Sequence, residues 1–252
     1  MGKPIALELY TIRESLQNEA DFREAMKKTK AAGYDAVELA GVSPEIPATA
    51  IKAVLDEVGL ECMATQVGLD ALTDDLAKTV ADLKTLECNH TALAAGPANM
   101  RSAEGYAELA RILTDTGRKL ADEGIALAYH NHAFEFERYG DRTGFEILYE
   151  ESDPRYLEAK IDTGWVQKAG ADVIDWIRRL ADRMSVIHIK DYTIVDNEIV
   201  LAEVGEGNLN WSGIIEACKA AGVKWYVVEQ DVCRRDPFES IKISYDNLQA
   251  ML

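Results

Sequence analysis

The segment Ala126-Leu127-Ala128-Tyr129-His130-Asn131-His132-Ala133-Phe134-Glu135-Phe136 carries two of the four histidines in the chain, followed closely by a carboxylate. Alternate side chains of a strand point the same way, so Ala128, His130 and, if the extended geometry continues, His132 share a face. Neutral imidazoles at such a spacing bind metals or carry protons near neutral pH. Three more short apolar runs end in the same chemistry. They finish on Asp162 (Lys160-Ile161-Asp162-Thr163-Gly164-Trp165), on His188 and Lys190 (His188-Ile189-Lys190-Asp191), and on Glu229 (Glu229-Gln230-Asp231). Each has a plain structural explanation when taken singly. Asp162 can cap the next helix, His188 can be a satisfied core histidine, Glu229 can pair with a lysine, and Lys190 can make a surface salt bridge with Asp191. Burying all of them together without a compensating charge is costly, and a divalent cation supplies that charge. A carboxylate and imidazole donor set with no thiolate suits one Mn2+, Mg2+, Co2+ or Zn2+ ion without choosing among them.

These groups need a scaffold that brings four strand ends together. Short apolar runs alternate with longer segments of helical periodicity along the whole chain. Strands are predicted at Ile5–Leu9, Ala36–Leu39, Glu61–Gln66, Thr91–Ala95, Ile125–His130, Leu157–Asp162, Ser185–Lys190 and Trp225–Glu229. Helices are predicted at Glu19–Ala32, Ala48–Val58, Leu72–Leu86, Ala103–Glu123, Gly144–Glu150, Asp172–Ala181, Trp211–Ala221 and Phe238–Met251. Gly33, Gly59, Gly124 and Gly222 each follow a helix, where a left-handed residue is wanted. Asp236-Pro237-Phe238-Glu239 combines an N-cap, a proline at N1 and a glutamate at N3. Strict alternation implies parallel strands with right-handed crossovers, and 252 residues suit a single α/β domain, a (β/α)8 TIM barrel spanning residues 1–252. A doubly wound sheet would need a glycine fingerprint after the first strand, which is absent; Gly205-Glu206-Gly207 comes late and reads as a turn. In such barrels the working groups sit at the carboxyl ends of the strands, where the four runs above place theirs. His90 precedes the fourth strand, at the opposite rim, and reads as structural.

Composition narrows the function classes. A formal net charge of −17 repels a phosphate backbone, and the basic run Lys27, Lys28, Lys30 is flanked by acidic residues on a helix, so no nucleic-acid partner is expected. The four cysteines have no metal-finger spacing, Met1-Gly2-Lys3-Pro4 has no signal-peptide architecture, and no apolar run reaches membrane-spanning length. A cytoplasmic protein with no membrane partner is the default expectation.

The runs YHNHAFEF, IDTGW, HIKD, VGEGNLNW and VVEQD, with Leu-Tyr-Thr-Ile-Arg at Leu9–Arg13, resemble the sugar phosphate isomerase/epimerase family of xylose-isomerase-like barrels. The resemblance covers essentially the whole chain. It implies one divalent metal held by a strand-five residue with Asp162, His188 and Glu229. At strand five, epimerases of ketohexoses carry a glutamate; here His130 stands at the matching strand end and Glu135 five residues beyond, so either completes the set. The YHNH motif is similar to the subgroup related to inosose dehydratase and 3-keto-sugar lyases.

The chemistry so implied is proton transfer beside a carbonyl through an enediolate, in carbohydrate metabolism. His132, and whichever of His130 and Glu135 is not a ligand, are the proton-transfer candidates. Lys190 can neutralise developing oxyanion charge. Glu8, Glu38 and Gln66 can bond sugar hydroxyls, and Trp165, Trp211 or Tyr10 can stack on a ring. Isomerisation or epimerisation of a sugar or sugar phosphate is the leading expectation, and elimination from a keto-sugar or inosose the alternative. The DNA-repair endonucleases on this barrel need a histidine-rich three-metal cluster and a basic face, which four histidines and the acidic charge argue against. A barrel that binds sugars without catalysis is disfavoured by the intact Asp162, His188, Glu229 set. Arg101, Arg138, Arg142 and Arg234 lie on mouth-side loops in no phosphate motif. Family members are often dimers or tetramers, so a homo-oligomer is a further implication of the resemblance.

Overall fold

The computed structural model describes residues 4–252. Eight parallel strands form one sheet: β1 Ile5–Glu8, β2 Ala36–Leu39, β3 Glu61–Val67, β4 His90–Leu93, β5 Ala126–His130, β6 Glu158–Lys160, β7 Val186–Ile189 and β8 Trp225–Val228. Neighbours run β6-β5-β4-β3-β2-β1-β8-β7. The sheet closes between β6 and β7 through a single parallel bridge, Asp162 to His188, where the His188 N–H donates to Ile161 O at 2.8 Å. The outer layer is α1 Glu19–Ala31, α2 Ala48–Val58, α3 Leu76–Thr85, α4 Ala103–Asp122, α5 Gly144–Glu151, α6 Val173–Arg179, α7 Trp211–Ala221 and α8 Pro237–Met251. This is the expected (β/α)8 barrel.

Local signals explain the outer layer. On α4 the stripe Tyr106, Leu109, Ala110, Leu113, Gly117, Leu120 is buried, and the Ser102 side chain accepts the Gly105 N–H as N-cap. Thr143 and Glu146 form a reciprocal capping box at the start of α5. Asp236 caps α8 ahead of Pro237, and Gly59 and Gly222 end α2 and α7 in the left-handed region. The main core lies between sheet and helices, where Leu7, Val37, Leu127, Ile187 and Val228 meet Phe22, Leu109, Phe145 and Ile215. Inside the barrel, Ala6, Ala36, Met63, Ala64, Val186 and Val227 make a small apolar plug. Two residues further along the same inner faces stand Glu8, Glu38, His188 and Glu229, so the interior turns from apolar to charged at the carboxyl end.

The structure departs from the sequence reading in four places. The helix expected at Leu72–Leu86 is broken into Leu69–Leu72 and α3, with Thr73 closing the first piece. An additional helix, Thr163–Lys168, precedes α6, and Asp162 is its N-cap. Five strands, β1, β4, β6, β7 and β8, are shorter than predicted at their carboxyl ends, so Asp162, Lys190 and Glu229 follow their strands rather than ending them. After β7 the chain folds into an antiparallel hairpin, Asp191–Val195 with Glu198–Ala202, whose two-residue turn Asp196-Asn197 has positive φ at both positions. That is the left-handed geometry matching hairpin twist, and Asn and Asp tolerate it. Among the described residues no helix is long and apolar enough to cross a membrane.

Candidate active site

His130 ends β5, and His188 lies within β7. Asp162 lies two residues beyond β6, and Glu229 immediately follows β8. These four buried side chains each present one donor atom, all within 4.8 Å of one another. His188 Nδ1 lies 2.7 Å from Glu229 Oε2, and His130 Nε2 lies 3.4 Å from Asp162 Oδ2 and 3.7 Å from Glu229 Oε2. The partners around them fix their orientation. His130 Nδ1 meets Ala94 O at 3.0 Å, and the Asp162 N–H donates to Asn131 Oδ1 at 3.0 Å. Asp162 Oδ1 accepts the Trp165 N–H at 2.8 Å. Asp162 therefore caps a helix with one oxygen and offers the other to the centre; the two readings of that residue coexist.

Charge agrees with a divalent ion. Lys190 is fully buried, with Nζ 3.0 Å from Asp162, 3.2 Å from Glu229 and 2.7 Å from Asp231. Lys160, also fully buried, faces Glu38. With His188 neutral, as a ligand to the ion must be, the four carboxylates Asp162, Glu229, Asp231 and Glu38 against two ammonium groups leave two negative charges, which one divalent cation balances. Glu8 is set aside because burial, then the charges of Glu229 and Glu38, push its carboxyl well above the usual range and favour the neutral acid. Burial alone would lower the His188 pKa, but Glu38 and Glu229 raise it to about 9. Burial also opposes ionisation of Asp162 and Glu229, and the Lys190 ammonium overcomes it and holds both low.

Four buried polar atoms around this group have no hydrogen-bond partner: Lys190 Nζ, Asp231 Oδ2, His132 Nδ1 and Trp165 Nε1. Lys190 touches its carboxylates as ion pairs without hydrogen-bond angles. The His132 and Trp165 rings are 5.3 Å apart, and Lys190 Nζ stands 4.9 Å from the Trp165 ring centroid. Burial, and then the neighbouring His130, lower the His132 pKa to about 3, so its imidazole is neutral.

The remaining candidates are placed as follows. Glu135 is outside the four-donor group: it is fully buried, with Oε1 accepting the Tyr129 O–H at 2.7 Å and Oε2 accepting the His132 N–H at 2.8 Å. It holds the loop that carries His132. Glu38 is also fully buried, inside the barrel at the level of His188, with its oxygens engaged by Lys160 and His188. Glu8 is likewise buried and accepts the Tyr10 N–H at 2.9 Å. Gln66 is half-buried and pairs in register with Ala92, itself opposite Ala128, which puts it on the inner face. Trp211 does not reach the mouth, because its Nε1 donates to Asp191 Oδ2 at 2.6 Å.

The expected alternative for Lys190, a surface pair with Asp191, is corrected. Asp191 turns away and accepts the N–H groups of Tyr192, Gly205, Gly207 and Leu209. The GEG segment is thus a cradle for a carboxylate of the chain itself, and a Cβ on Gly207 would stand 2.1 Å from Asp191 Oδ1. Sequence reasoning missed Lys160 and Asp231. Period-two alternation signals the first, because Glu158, Lys160 and Asp162 share a face; nothing in the sequence aims Asp231 at Lys190.

Residues 26–250 match a family model described as the xylose isomerase-like TIM barrel. An inosose dehydratase of Geobacillus thermodenitrificans is 31% identical over 147 residues, which are 50% of this chain and 48% of that protein. The match therefore spans about half the length of that relative. The rhizopine catabolism protein MocC of Rhizobium meliloti is 25% identical over 281 aligned positions, 94% of this chain and 83% of that protein. Among solved structures, a sugar phosphate isomerase/epimerase from Parabacteroides distasonis superposes with a TM-score of 0.81 at 22% identity, covering 98% of both chains. That likeness establishes the shared fold.

Proposed function

Because the chain belongs to the xylose isomerase-like TIM barrel family, we propose that it is a divalent-metal-dependent sugar or sugar phosphate isomerase or epimerase. It works by proton transfer at the carbon beside a carbonyl. The observation that carries this reading is the buried group His130, Asp162, His188, Glu229 adjoining His132 Nδ1 and Trp165 Nε1, two buried ring nitrogens with no hydrogen-bond partner. The donor set fits one divalent ion, and two imidazoles favour Mn2+, Co2+ or Zn2+ over Mg2+. When bound, the ion supplies Lewis-acid polarisation of a carbonyl and stabilises the negative charge that grows on its oxygen.

The residues of the chain do the rest. His132, neutral with Nδ1 unpartnered but a weak base in this dry setting, takes the proton only from a carbon that the polarised carbonyl has acidified, and returns it, to the same carbon for epimerisation or to its neighbour for isomerisation. Lys190 Nζ, short of aligned acceptors, bonds the substrate oxygen that gains charge. Trp165 roofs the site, excludes water and donates Nε1–H to a hydroxyl. Glu135 keeps the His132 backbone in place, and Gln66 bonds a hydroxyl from β3.

A second reading is favoured by the relative named inosose dehydratase and by a histidine rather than a glutamate at the end of β5. In that reading the same deprotonation is followed by loss of a β-hydroxyl as water from a keto-sugar or inosose, and His132 protonates the leaving oxygen.

The deciding experiment incubates Mn2+-loaded protein in D2O with a panel of keto-sugars, their phosphates and inososes, followed by NMR. Exchange of deuterium at the carbon beside the carbonyl is expected, and it falls about 10²–10⁴-fold in His132→Ala. A new stereocentre or a moved carbonyl marks the isomerase, and a double bond with loss of water marks the lyase. Metal-loaded protein that exchanges no proton on any of the panel refutes the enolisation reading.

A further inference from the structure

His188 is held by carboxylates at both ring nitrogens. Nδ1 lies 2.7 Å from Glu229 Oε2, and Nε2 lies 2.9 Å from Glu38 Oε2. Only Glu229 belongs to the four-donor group. Glu38, on β2, turns its other oxygen to the ammonium of Lys160 at 2.5 Å, and Lys160 comes from β6 across the barrel. All three side chains are fully buried. They form one polar line through the interior, from β6 through β2 to β7, directly above the alanine and valine plug.

An imidazole that ligates a metal through one nitrogen must carry its proton on the other, and that proton needs an acceptor. A buried ion pair is otherwise an expensive way to fill a barrel, since apolar side chains of similar volume do as well or better. We infer that the Lys160–Glu38 pair is a positioning device for His188: Glu38 accepts the Nε2–H and so reserves Nδ1 as the metal donor, while Lys160 holds the Glu38 carboxylate in place. Lys160 also cancels the charge of Glu38. The carboxylate then orients the imidazole without adding to the negative charge that the centre must balance. This inference rests on the metal reading of the site.

The probe is Zn2+, which is diamagnetic. Protein labelled with 15N-histidine has only four imidazoles to assign. The zinc-loaded wild type is expected to show the His188 proton on Nε2 and none on Nδ1. The double variant Glu38→Leu/Lys160→Met replaces the ion pair with apolar side chains of similar size. It is expected to bind zinc about 10–100-fold more weakly in competition with a chromophoric chelator. Glu38→Gln/Lys160→Met restores an acceptor oxygen and is expected to recover most of that loss, which a merely space-filling role would not produce. A proton found on His188 Nδ1 in the zinc-loaded wild type overturns the inference even if the apolar variant does not fold. Unchanged zinc affinity in the apolar variant overturns it as well. A wild type that binds no zinc removes the metal reading itself, an outcome distinct from the other two.

Discussion

Glu135 offers a sharp test of how the loop carrying His132 is built. Its carboxyl is fully buried, and burial raises its pKa to about 7, although the bonds from Tyr129 O–H and from the His132 N–H pull the other way. A group whose folded pKa is raised contributes stability that is fully present below its unfolded pKa and is lost as pH rises through the folded value. For Glu135 that window runs from about 4.5 to about 7. At 1.36 kcal/mol per unit the full loss is about 3 kcal/mol, most of which falls between pH 5 and pH 8.

In Glu135→Gln nothing titrates at this position. The amide places an N–H group where the carboxylate accepted, at a cost of about 1 kcal/mol. The two proteins should therefore change rank. Wild type is the more stable below about pH 5, and the variant is the more stable by roughly 2 kcal/mol at pH 8. Urea unfolding of both, in chelator so that metal binding does not enter, measures the difference at pH 5, 6, 7 and 8. Other titrating groups are common to both proteins and cancel to within a few tenths of a kcal/mol when they are distant. Curves that stay parallel over this range would mean that the Glu135 carboxyl titrates as it does in water, and the account of a dry, closed loop would be wrong.

Three further outcomes follow from the same geometry. Lys190→Met strips the buried ammonium from Asp162, Glu229 and Asp231, which should destabilise the metal-free chain by about 3–5 kcal/mol; thermal melts with and without Mn2+ should show the ion restoring much of that loss. Gly207→Ala drives a methyl into Asp191 Oδ1 and the Tyr192 carbonyl, so the loop from Val204 to Trp211 should come loose at a cost of about 2–4 kcal/mol. Denaturant melts and proteolysis mapping check it, with Gly68→Ala, where φ is negative and nothing stands within 4 Å, as the control for glycine loss alone. Trp165→Ala opens the roof above His132 and Lys190, and steady-state kinetics on whichever substrate exchanges deuterium should show KM raised about tenfold or more, with zinc affinity unchanged.

Much of this protein is legible before folding is considered. Alternating periodicity and helix-boundary residues such as Asp236 and Gly222 depend on neighbours a few positions away, and they are enough to specify a parallel α/β barrel. The barrel rule then places His130, Asp162, His188 and Glu229 at one mouth, because each lies where an apolar run ends. Strand parity also exposes the shared face of Val186, His188 and Lys190. What the linear order does not contain is which partner each charge meets across the interior. Glu38 and Lys160 are 122 positions apart, and Glu38 and His188 are 150 apart; only closure of the barrel brings them into contact. Parity gives the face of Glu8 and Glu38 but not the partners they meet there: Lys160 and His188 for Glu38, and the Tyr10 N–H for Glu8. The choice between His130 and Glu135 was tertiary for the same kind of reason: Tyr129 and the His132 N–H claim the Glu135 carboxylate, leaving His130 to face Asp162 and Glu229. Local sequence sets the direction of each side chain along its own strand, whereas the energy of a buried charge depends on every group packed around it, and that environment exists only in the folded chain.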